Sequence, residues 1–188
     1  FGSVGQVSHI NRQLTETFTK FEDNALSSMD LLAPYDINFI VTGHDMSAKS
    51  QIAVGIAKAL NTYGVCDKDK LVRADAEDLN ERDFSSIFAR ISGGCLIIEN
   101  ADRLKENALR IISDYVSRDG QDVSIVMAGE EDLMNELMAK NNSMRSKFLN
   151  IIHIGKYNES ELVQLADGYA KKKGYELSGE SKALLKKV

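Results

Sequence analysis

The 188-residue chain lacks most of the marks that send a protein to a membrane, a secretory route or a nucleic acid. It has no apolar stretch of bilayer-spanning length and no secretory leader pattern, so the expected location is the cytoplasm and no membrane partner is expected. Its formal net charge of −5 argues against broad nucleic-acid binding, and no nucleic-acid partner is expected. Cysteine is scarce: of Cys66 and Cys95, the latter sits in an apolar run, which reads as a buried thiol rather than a ligand or nucleophile. The three histidines, His9, His44 and His153, lie far apart and are read as surface or partly packed residues rather than a metal site. No Ser-His-Asp or Cys-His constellation stands out. Proline occurs once, at Pro34, and there is no Pro-rich linker, internal repeat or low-complexity segment. The chain opens on Phe1 rather than Met, and the expectation is a piece of something longer.

What is present is an alternation. Ile10, Leu14, Phe18, Phe21, Ala25, Met29 and Leu32, three or four residues apart, predict one helical face over 8–32, ended by Pro34. "INFIVT" (37–42) is a compact strand, followed by a helix from about Ser50 that Gly64 stops. Further strands are predicted at 71–74, 95–99, 123–128 and 150–154, with helices at 83–91, 104–118 and 130–140 between them. Such alternation predicts an α/β fold with a mainly parallel sheet covered on both faces. A capping box of Asn158 and Glu161 opens a helix to Gly174, and another begins near "SGES". The organisation read here is an α/β core over 1–155 and an incomplete helical lid over 156–188.

The turn after the first strand carries "GHDMSAKS", residues 43–50. Gly43, Lys49 and Ser50 match a phosphate-binding loop, G-x-x-x-x-G-K-[ST], at every fixed position except the sixth, Ala48. In such a loop backbone N–H groups turn inward on phosphate, the helix N-terminus adds positive potential, the Lys reaches the outer phosphates and the Ser holds Mg²⁺. Three matches alone arise by chance in roughly one such chain in ten. Their place between a predicted strand and a predicted helix is what raises their weight. The candidate nucleotide-binding residues are Gly43, His44, Asp45, Met46, Ser47, Ala48, Lys49 and Ser50; the competing reading is a polar loop with an exposed Lys49.

Three further stretches carry a family resemblance over about 37–180. "GGCLIIENADRL" resembles a Walker B region, G-G-x-L-h-I-D-E-A-x-x-L. "IVMAGEEDLMNELMAKNNSMRSKF" resembles a segment ending R-S-R-F, and "IIHIGKYNESELVQLADGYAKKKGYELS" a strand with lid entry. The chain thus resembles AAA+ ATPase domains of the group containing stage V sporulation protein K and the CbxX/CfqX Rubisco activases. The resemblance implies a P-loop NTPase AAA+ fold: a five-stranded parallel sheet, order 5-1-4-3-2, sandwiched by helices and followed by a partial helical lid. It also implies ATP or ADP with Mg²⁺ as cofactors, and other AAA+ modules or subunits, in a ring or tandem array, as partners. Phe1-Gly2 resembles the h-G pair beside the adenine pocket.

The sequence departs from that pattern at the phosphate cradle, the metal ligand, the base and the finger. Met46 and Ala48 replace two loop glycines; if either position needs φ > 0, a side chain there costs roughly 1–2 kcal/mol. Glu99, expected to help Ser50 hold Mg²⁺, replaces Asp, and Asn100 replaces the Glu that activates water, removing a general base worth ~10²–10⁴-fold. Lys147 stands where the second Arg of R-S-R-F supplies a finger to the neighbouring site. "DLNERDFSSIFARISGG" is shorter than the family's pore-loop region, and Phe84 and Phe88 in it are read as core. Loss of activity explains these changes together better than four tolerated substitutions. The leading expectation is a degenerate AAA+ module, a non-hydrolysing scaffold or regulatory unit that requires no cofactor. The alternatives are an active ATP-dependent remodelling ATPase, or a nucleotide sensor without turnover.

Overall fold

A computed structural model describes residues 1–27, 34–118 and 120–186. Five strands, β1 (Phe39–Gly43), β2 (Leu71–Asp75), β3 (Cys95–Glu99), β4 (Ser124–Gly129) and β5 (Asn150–Ile154), form one parallel sheet in the order β2-β3-β4-β1-β5. This is the expected order read from the other edge, with β1 inside the sheet. The inner strands β1, β3 and β4 are buried along almost their whole length because helices cover both faces, whereas the edge strands β2 and β5 are partly exposed. Alternate residues enter separate cores. Ile40, Leu96, Ile98, Ile125 and Met127 point to one face, while Phe39, Val41, Ile97, Val126 and Ala128 point to the other.

The first face is covered by α4 (Ala76–Leu79), α5 (Phe84–Arg90), α6 (Glu106–Val116), α7 (Glu131–Lys140) and α8 (Asn142–Arg145). Phe84 and Phe88 are buried there, as core residues should be. Against the second face lie α1 (Ser8–Ser27) and α3 (Met46–Thr62). Ile52, Ile56 and Leu60 recur at one turn of α3 and are fully buried; Gly64 follows in left-handed backbone, φ 73°, and stops the helix. Cys95 is buried too. Met29 and Leu32 of the expected α1 face, and the side chains of Phe21 and Ala25, lie outside the described residues. Pro34 opens a short helix, α2 (Pro34–Ile37), where its fixed φ is tolerated.

At the end of the chain, α9 (Glu159–Lys172) starts on the expected capping box, and α10 (Gly179–Leu185) follows. Helix α9 packs on the 3-10 turn Val4–Gln6 and on α1, where Glu161 bonds the His9 ring at 2.6 Å and Ser8 bonds Gln164. No helix among the described residues is long and apolar enough to cross a membrane.

Candidate functional site

The 43–50 segment leaves the carboxyl end of β1, where open α/β sheets receive ligands. Gly43 has φ 149°, and a Cβ there would stand 2.5 Å from the Ile154 carbonyl oxygen of β5. Close approach of two strands therefore requires this glycine whether or not a ligand is bound.

Beyond Gly43 the chain does not form an open loop. Asp45 takes extended backbone, its carboxylate accepts the Ala48 N–H at 3.1 Å, its carbonyl accepts the Lys49 N–H at 3.0 Å, and α3 is under way at Met46. The expected helix start near Ser50 is thus corrected by a full turn. Asp is a strong N-cap, and with Met46 and Ala48 in place of glycine nothing favours φ > 0. Both side chains sit in helical backbone without strain; the single non-glycine residue with positive φ among those described is Asn100. A phosphate cradle needs successive N–H groups converging on one point. Here the Ala48 and Lys49 amides already have acceptors in the chain.

Lys49 is not the exposed residue of the competing reading: only 3% of it is accessible. Its ammonium makes no hydrogen bond or ion pair with a described residue. Burial pulls its pKa below the ordinary lysine value, opposed by the carboxylates of Asp102, Glu130 and Asp45. Ser50 lines a cleft of about 260 Å³ with Phe1, Gly2, Gly55, Arg73 and Lys172. Met46 is exposed, the Ser47 hydroxyl accepts from Gln51 of its own helix, and the His44 ring bonds the Glu130 carboxylate.

Glu99 and Asn100 end β3, facing β2 rather than the segment. Glu99 pairs with the Arg73 guanidinium at 2.9 Å and shares no hydrogen bond with Ser50. Asn100 stands in left-handed backbone, φ 50°, and its amide donates to the Asp75 carboxylate at 2.5 Å. Lys147 follows α8, half-buried, between the buried anchors Met144 and Phe148, and its backbone N–H bonds the Met144 carbonyl. His9 and His44 pair with Glu161 and Glu130, and His153 lies 3.4 Å from Glu131.

No family model matches the chain. Protein CfxQ of Xanthobacter flavus is 23% identical over 79% of this chain and 52% of its own length. Protein CbbX of Cereibacter sphaeroides is 23% identical over 77% and 52%. The chain thus spans about half the length of the curated relatives it matches. Among solved structures, the RuvB Holliday junction branch migration motor of Thermotoga maritima superposes with a TM-score of 0.64 at 17% identity, covering 92% of this chain and 54% of that one. The chain has the AAA+ fold, and its sequence resembles the CbxX/CfxQ proteins.

In this AAA+ domain four residues shape the site that motif reading did not single out. Asp102 and Glu130 supply negative charge around Lys49, and the Asp102 carboxylate also accepts the Glu130 N–H at 2.9 Å. Arg73 and Asp75 reach Glu99 and Asn100 because β2 lies beside β3, with Asp75 in register with Glu99. The β2 pair is two residues apart in an ordinary strand and carries no motif. Its partners follow from strand order alone.

Proposed function

We propose that this AAA+ domain acts by binding rather than by hydrolysis, as a scaffold or regulatory unit within a larger or tandem AAA+ assembly. In this reading residues 1–155 are its α/β core and 156–188 a partial lid. The observation that carries it is the start of α3 at Met46 under the Asp45 cap, which fills the position where phosphate would be wrapped. The other departures support it. A Glu99 carboxylate held by Arg73 has lost the freedom to complete a Mg²⁺ shell with Ser50. Asn100, spent on Asp75, is no base for water. Lys147 lacks the planar fork of an arginine finger. ATP with Mg²⁺ does not fit the residues as arranged, and no catalytic step is assigned to them. AAA+ proteins typically oligomerise, so the partners of choice are other AAA+ modules or subunits. The retained and buried Lys49 favours one second reading, a sensor that holds nucleotide without turnover.

Calorimetric titration with ATP·Mg²⁺ and a steady-state phosphate-release assay separate these. The expected result for the unmodified chain is no saturable binding in the micromolar range and no release above a protein-free blank. Micromolar binding without release supports the sensor. Release abolished by Lys49→Ala overturns both in favour of an ATP-driven remodeller.

A further inference from the structure

We propose that the Asp45 carboxylate is a built-in ligand of this site: it stands where an oxyanion would stand, and it, more than the absence of glycine at 46 and 48, keeps oxyanions out. The proposal rests on the reading of a closed phosphate position given above. Its geometry is that of an anion at a helix start, with the carboxylate on the Ala48 N–H at 3.1 Å. Two side-chain donors in this neighbourhood have no partner. Lys49 is buried along its stem, and its ammonium has no hydrogen bond or ion pair to a described residue. The Tyr157 hydroxyl is buried without a hydrogen-bond partner, and its phenol feels the Asp45 charge. Tyr157 and Asp45 line one cleft of about 310 Å³ with His44, Ile154 and Leu162.

Two donors without partners close to a capping carboxylate are the complement of an oxyanion. The carboxylate keeps that complement from being used in two ways. It takes the Ala48 amide, and it joins Asp102 and Glu130 to place three negative groups around one ammonium, so an arriving anion meets repulsion before it meets Lys49. Met46 and Ala48 favour the helical turn but carry no charge, so they repel no arriving anion.

The test is a calorimetric titration of the 188-residue chain with pyrophosphate, in the unmodified form and in two variants. Asp45→Ser removes the charge and keeps a capping hydroxyl, so the helix start has a reason to persist. Asp45→Gly removes both. The expected result is pyrophosphate binding tighter by at least about tenfold in both variants, a gain lost when Lys49→Met is added. Variants that melt cooperatively and bind no more tightly than the unmodified chain overturn the proposal, as does a gain that survives Lys49→Met. Should the unmodified chain bind ATP at micromolar levels, the closed-site reading falls as well. A silent unmodified chain beside equally silent variants removes only the role given to Asp45.

Discussion

Asn100 holds two jobs that a glutamate could not hold together. Its backbone is left-handed, a conformation asparagine accepts more readily than other side chains, and its amide donates to Asp75. Asn100→Glu would force a less tolerant residue into that backbone, delete the donor and oppose two carboxylates. We expect a loss of about 1–3 kcal/mol in urea unfolding, with Asn100→Gly costing less because only the hydrogen bond goes. Equal losses would mean that the Asp75 bond, and not the backbone, sets the choice. Restoring the family's acid here therefore also requires changing Asp75, a neighbour in space that is 25 residues away in sequence.

At the scale of elements, the decisive event is where α3 begins. A helix takes in another turn whenever its N-terminal residues accept helical backbone and a capping side chain precedes them. Met46, Ser47 and Ala48 meet the first condition and Asp45 the second. Glycine at 46 and 48 should weaken that turn without removing the charge that caps it. We expect Met46→Gly with Ala48→Gly to lower stability by about 1–2 kcal/mol and to speed exchange of the Lys49 amide, read by denaturant melts and hydrogen exchange. Unchanged protection at Lys49 would place the closure elsewhere. The sheet edge follows the same logic of capping by side chain: Gln13 of α1 bonds both the N–H and the C=O of His153, closing that part of β5 to further pairing.

Across the whole molecule, α9 is tied to the α/β layers through Glu161. The His9 ring and the Asn158 N–H both bond its carboxylate and hold its pKa below the usual glutamate range. A depressed carboxyl stabilises the folded state above its unfolded pKa, and that contribution is lost as pH falls through the folded value. Glu161→Gln should therefore cost about 1–2 kcal/mol near neutral pH, and the difference from the unmodified chain should shrink as the solution is acidified below the ordinary carboxylate range. Urea melts at neutral and acid pH give both numbers. A difference that stays constant with pH would assign the attachment of α9 to Val163 and its apolar neighbours instead.

The sequence by itself determined the order and type of the main elements, because each is a local pattern. Five strand-length segments, Gly64 as a stop and the Asn158–Glu161 box all act within a few residues, and their positions in the fold agree with that reading. The short helices α4 and α8 carry too few residues for a period to emerge. Gly43, Lys49 and Ser50 were legible as positions in a motif, and Glu99, Asn100 and Lys147 through the family resemblance. What those residues touch was not legible. Arg73 meets Glu99 and Asp75 meets Asn100 only because β2 lies against β3, and Asp102 and Glu130 face Lys49 only because the ends of β3 and β4 converge on the start of α3. Even Asp45, which the motif treats as a variable position, takes the Ala48 amide as the cap of α3, because a helix start is a competition for unpaired N–H groups. Spacing names the contestants, and only the packed chain decides which acceptor reaches them.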